Sequence, residues 1–83
     1  MKFEWDDEKA KSNQAKHKVS FEEAQTVFYD PFYLIFADPD RSKKEARFIA
    51  LGASNRNRLL VVAYTERSDL TWLITARKAT PTE

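Results

Sequence analysis

Apolar residues alternate with polar ones, recur at helical spacing or run together in different parts of this chain, and each pattern predicts an element. Lys2 to Trp5 alternates, with Phe3 and Trp5 on one face, as in a short strand that buries two aromatics. Asp6 or Asp7 then caps a helix running to about His17, with Asp7 and Glu8 where the helix dipole favours carboxylates. Ala10 and Ala15 are the apolar residues of that segment, too few for a core-facing stripe, so it reads as a solvated helix tethered by Trp5. Lys9, Asn13 and either Lys16 or His17 share one of its faces.

Ser20 starts a second helix. Its hydroxyl is placed to accept the N–H of Glu23 while the Glu23 side chain reaches back, a capping box, and Val19 with Ala24 forms the accompanying hydrophobic staple. Phe21, Ala24, Val27 and Phe28 then form a core stripe, and Asp30-Pro31 ends the helix near Phe28. Phe32 to Ala37 is an apolar run of strand length, followed by a turn at Asp38-Pro39-Asp40. Further strands are expected near Glu45 to Gly52, over Leu59 to Tyr64 and over Leu70 to Ala76. A polar hairpin loop over Ala53 to Asn57 and a turn through Arg67, Ser68 and Asp69 join these three. Three consecutive strands with short loops make an antiparallel meander, so the expected class is α+β, with two N-terminal helices packed on an antiparallel sheet in one domain spanning residues 1–83. Thr80-Pro81-Thr82-Glu83 has the residues that open a helix, so a C-terminal helix is expected to be missing or shortened.

Composition narrows the chemistry. No cysteine and a single histidine argue against a thiolate or zinc site, so no metal or other cofactor is expected. The longest apolar runs are far too short to cross a bilayer, and a cytoplasmic protein is expected. The net charge of +1 conceals an asymmetry: residues 1–40 hold five Lys/Arg against nine Asp/Glu, and residues 41–83 hold nine against four. The second half is a reasonable phosphate-facing surface. A single glycine, Gly52, excludes a glycine-rich phosphate loop. Capping and turn formation account for the acidic pairs Asp6-Asp7 and Asp38-x-Asp40 without a bound cation.

Phe3-x-Trp5-Asp6, Lys9, Asn13, Lys16-His17-x-Val19-Ser20-Phe21-Glu22-Glu23-Ala24 and Val27-Phe28-x-Asp30 are followed by Glu45-x-Arg47, Gly52, Val61-Val62-x-Tyr64-Thr65-x-Arg67 and Ile74-x-Ala76-Arg77-x-Ala79-Thr80. In that order and register, over nearly the whole chain, they resemble the BrnT family. The resemblance implies a RelE-like fold and a ribonuclease toxin of a type II toxin-antitoxin system. It also implies a metal-independent endoribonuclease that arrests translation and growth, neutralised by a DNA-binding antitoxin of the BrnA type and meeting operator DNA only through it. Two departures stand out: Lys18 occupies a position where the family usually has glycine, and the family usually continues into a C-terminal helix.

Metal-free RNA cleavage needs a base for the ribose 2′-OH, cations for the phosphate in flight and an acid for the leaving oxygen. Arg67 and Arg77 match family positions and are assigned to the phosphate, with Arg47 a third candidate. His17 and Glu45 are the candidates for proton transfer, although His17 at a helix end equally suits a capping role. Lys16 is a candidate for phosphate binding and Tyr64 for stacking a base or bonding the phosphate, against the plainer readings of a solvated cap and a packed strand residue. The alternative is a non-catalytic module of the same fold that binds RNA or an antitoxin.

Overall fold

The computed structural model describes residues 1–38 and 45–81. In chain order it has β1 (Lys2–Glu4), α1 (Asp7–His17), α2 (Phe21–Gln25), a 3-10 turn (Thr26–Tyr29), β2 (Leu34–Ala37), β3 (Arg47–Ala53), β4 (Leu59–Arg67) and β5 (Leu70–Lys78). The five strands form one sheet in the order β1-β5-β4-β3-β2. β2 through β5 pair antiparallel, but β1 lies parallel to β5, with Lys2 opposite Leu70 and Glu4 opposite Trp72. The class is α+β with a mixed sheet, which corrects the wholly antiparallel expectation. The alternation in Lys2–Trp5 identifies a strand, but its neighbour and direction depend on where the two helices return the chain. Of the expected turns, Pro39 and Asp40 lie outside the described residues, as do Thr82 and Glu83 of the C-terminal helix signature.

Asp6 caps α1, its Oδ1 accepting the N–H of Glu8 at 2.8 Å and of Lys9 at 3.3 Å. The helix is as polar as expected, yet it is not simply solvated. Asn13, its one buried residue, donates through Nδ2 to the carbonyls of Val19 (2.9 Å) and Ala76 (2.8 Å) and accepts the Ala76 N–H at 3.0 Å. β1 pairs with β5 over Leu70 to Trp72, so the Asn13 amide serves the same strand further along, where β1 no longer reaches. Trp5 packs edge-on to Phe21 with centroids 5.8 Å apart, but the hydrogen-bonded tether of α1 is Asn13. Lys18 ends the helix in the left-handed conformation (φ 60, ψ 32), its N–H donating to the Gln14 carbonyl; that backbone region is the one glycine favours.

The second helix buries the expected stripe, with Phe21, Ala24, Val27 and Phe28 in one cluster with Ala50, Leu60, Val62, Leu73 and Ala76. It is α-helical only to Gln25 and then tightens. Thr26 donates its hydroxyl to the Glu23 carbonyl at 2.6 Å and accepts the N–H of Asn55 from the β3–β4 loop at 2.9 Å. Gly52 is required by this closeness: a Cβ there would stand 2.9 Å from Tyr33 Cβ and 3.0 Å from Val27 Cγ1.

Half of the capping box forms. Ser20 Oγ accepts the Glu23 N–H at 3.0 Å, but the Glu23 carboxylate turns away into the protein. It accepts from the Ser54 hydroxyl (2.6 Å), from Arg58 Nε (2.9 Å) and from Arg58 Nη2, with its side chain 4% exposed. The Arg58 hydrogen bonds hold its carboxyl below the ordinary value of 4.5, burial opposing them. A carboxyl lowered on folding contributes stability above its unfolded value, and that stability is lost as pH falls through the folded one. Glu23→Gln is therefore expected to cost about 3 kcal/mol at neutral pH, the low end for breaking a buried ion pair, or roughly 12–24 °C in melting temperature. The deficit relative to wild type should shrink below about pH 4.5. Melts from pH 7 to pH 3 check both statements, and a deficit unchanged at pH 3 would contradict the assignment to charge.

Candidate active site

Alternation divides the sheet into a covered face and an open one. The covered face carries Ala50, Leu60, Val62 and Leu73 into the core. The opposite face is ordered in cross-strand rows: Arg47–Thr65–Trp72, then Ile49–Ala63–Thr75, then Leu51–Val61–Arg77. In β5 the register shifts between the partners of Ala63 and Tyr64: Ala63 faces Thr75 and Tyr64 faces Leu73, so Ile74 is an extra residue. That bulge lets Leu73 and Ala76 both reach the core while Thr75 and Arg77 lie on the open face.

Asp38, Arg47, Ile49, Val61, Ala63, Thr75 and Arg77 line a shallow cavity of about 180 Å³ on this face. Its floor is small or aliphatic, and arginines stand towards two of its corners. Arg77 is partly buried, and its Nη1 donates to the Lys78 carbonyl at 3.2 Å. A second cavity, of about 160 Å³, lies between α1 and the bulge and is lined by Lys9, Ser12, Asn13, Lys16, His17, Ile74 and Thr75. Thr75 lines both, so the cationic end of α1 and the arginines of the sheet border two adjacent cavities. His17 ends α1, with Lys16 and His17 in the last turn where the dipole favours cations.

Arg67 stands one row beyond Arg47. Its Nε and Nη2 each donate to Glu45 at 2.8 Å, a bidentate pair, and its guanidinium lies over the Trp72 ring, 4.8 Å from the centroid. The hydrogen bonds with Arg67 hold the Glu45 carboxyl below its ordinary value, and the same bonds raise the Arg67 guanidinium. Glu45 is thus ionised at neutral pH, which suits an acceptor of protons or an anchor for Arg67 and not an acid. Among the described residues, no three His, Cys, Asp or Glu side chains gather as a metal-binding group.

Of the residues singled out from the sequence, the fold places Arg47 and Arg77 in the first cavity and Lys16 and His17 in the second, with the Arg67–Glu45 pair one row beyond Arg47. Tyr64 is elsewhere. It points to the covered face, 3% exposed, edge-on to Phe28 (5.0 Å) and tilted against Phe48 (5.6 Å), and burial pushes its hydroxyl up to about 12. No base can reach that ring, so Tyr64 is a core residue. Two residues beside these groups escaped the sequence. Trp72 shows only in the alternation of β5, and Thr75 depends on a bulge with no sequence signature of its own.

The chain is thus a small α+β domain with arginines on one sheet face and lysine and histidine at the adjoining helix end, a basic surface. The family model described as "Ribonuclease toxin, BrnT, of type II toxin-antitoxin system" matches residues 5–83, and the chain belongs to this family. The fold is similar to the crystal structure of the Brucella abortus ribonuclease toxin BrnT, with a TM-score of 0.75 at 25% identity, over 96% of this chain and 97% of that one. No curated protein sequence matched the chain. Among the described residues no helix is long and apolar enough to cross a membrane.

Proposed function

We infer that this chain is the toxin of a type II pair and cleaves RNA at the open-face cleft by metal-independent attack of a ribose 2′-OH on the adjacent phosphate. The observation that carries the reading is the placing of Arg47 and Arg77 in one cavity and of Lys16 and His17 in an adjacent one, with Thr75 lining both. Family membership supplies the class of activity. The cleft supplies the parts that chemistry needs.

Arg47 and Arg77 lie on the outer strands of a three-strand patch, with the small side chain of Ala63 between them. A phosphate resting on that floor is met from two sides by planar donor forks, which offset the charge that grows on its oxygens as the 2′-OH attacks. Lys9 and Lys16 extend the positive surface towards the next phosphate along the strand. His17 takes the proton-transfer role, as the imidazole beside this surface that can both accept and return a proton. Glu45 keeps Arg67 fixed over Trp72, and the three form one end of the RNA path. The partner is an antitoxin of the BrnA type, through which alone the toxin meets operator DNA.

The test is incubation of the purified chain with an end-labelled RNA in EDTA. Cleavage leaving 2′,3′-cyclic phosphate ends, and abolished in His17→Ala, is the expected outcome. Products with 5′-phosphate and 3′-hydroxyl ends, or a need for added metal, would refute the 2′-OH route.

A further inference from the structure

Among the described residues the sheet ends on β2, with no strand beside its outer edge. Such edges usually carry charge, proline or a bulge against unwanted pairing. β2 carries none of these: it reads Leu34-Ile35-Phe36-Ala37, and Leu34, Ile35 and Phe36 are 54%, 50% and 51% exposed. Phe32, just before it, is 85% exposed. A 4-residue strand in regular register with β3 over its whole length is a ready template for one more strand.

The surroundings point to the occupant. Leu34 and Phe36 stand opposite Leu51 and Ile49, so the apolar edge runs without a break into the cleft, which Ile49 also lines. Beyond Ile49 the described lining of the cleft includes Arg47 and Arg77 together with Asp38. A ligand crossing from edge to cleft thus meets hydrogen-bonding backbone and apolar side chains first, then positive charge. A second copy of the chain fits poorly, because pairing two β2 edges would set two arginine-lined clefts on one continuous sheet face.

We propose that β2 is the docking edge for an extended segment of the antitoxin, which adds a sixth strand beside Leu34–Ala37 through backbone hydrogen bonds. Its apolar side chains cover Leu34 and Phe36, and its acidic residues continue over the open face to Arg47 and Arg77. Docking there holds acidic side chains where the RNA phosphate would lie, so binding and inhibition are one event. The inference rests on the toxin reading above and adds its mode of neutralisation.

The test uses the full chain and its purified cognate antitoxin. Lysine is the residue that natural edges use against pairing, so the variant is Leu34→Lys with Phe36→Lys. Both side chains are about half exposed, and the variant should fold and cleave RNA as wild type does. Its antitoxin Kd is expected to rise at least tenfold, with a matching loss of inhibition. In the wild-type chain, amide exchange at residues 34–37 should slow when the antitoxin is added. An unchanged Kd, or amides at 34–37 that exchange equally fast in the complex, would overturn the docking edge while leaving the toxin reading intact. A wild-type chain that is dimeric alone and becomes monomeric in the variant would assign the edge to a second copy instead. Wild-type RNA cleavage with no antitoxin binding at all would remove both the docking edge and the proposed partner.

Discussion

Arg77→Ala is expected to lower kcat/KM for RNA cleavage by roughly two to three orders of magnitude, the usual cost of removing one preorganised donor from developing charge. The variant should melt within a few degrees of wild type. Arg77 lies on the open face, and its side chain is not part of the buried cluster that joins the second helix to the sheet. It also donates a hydrogen bond to the neighbouring Lys78 carbonyl, on the exposed side of the sheet. Activity and stability therefore separate cleanly at this position. Single-turnover cleavage of a short RNA, beside a thermal melt of the same preparation, reads both. A folded Arg77→Ala chain that cleaves at the wild-type rate would remove this arginine from the site and with it the reading of the Arg47 and Arg77 cavity.

Asn13 reverses that balance. Asn13→Ala leaves the Ala76 N–H and the carbonyls of Ala76 and Val19 buried without their partner. Each such group costs about 1–3 kcal/mol, so a loss of about 4 kcal/mol is expected, or roughly 15–30 °C in melting temperature. Asn13→Asp should be no better, because a carboxylate can accept the Ala76 N–H but sets its second oxygen against two carbonyls. An Asp variant as stable as wild type would show that the amide geometry does not hold α1. The effect on RNA cleavage should follow, because the same helix carries Lys16 and His17 to the cavity beside Thr75. Denaturant titration of the three proteins measures the first part, and cleavage at a temperature where each is folded measures the second.

The contrast between these residues shows where the sequence speaks. The Ser20 cap, the stripe of Phe21, Ala24, Val27 and Phe28, and the strands around Ile49, Val62 and Leu73 are legible because each depends on neighbours within a turn or a few residues. Tyr64 was not. From Leu59 to Tyr64 every residue is apolar, so alternation cannot say which face a side chain takes, and the choice fell to the register with β3 and β5. Glu23 is a similar case: the spacing to Ser20 matches a capping box, but the buried pairing with Arg58, 35 positions on, outcompetes it for the carboxylate.

The strands, the two helix starts with their Asp6 and Ser20 caps, the basic second half and, through motifs in one register, the family were legible along the chain. The tertiary structure decided which elements are neighbours: β1 parallel to β5, β2 on an open edge, and α1 pinned by an amide to a strand residue 63 positions away. It also decided that Arg47 and Arg77 line one cavity, because a one-residue bulge at Ile74 sets the face on which Thr75 and Arg77 appear. The physical reason is range. Propensity and periodicity act over a turn or a strand, whereas pairing and burial are settled by the competition of distant segments for the same edge and the same core.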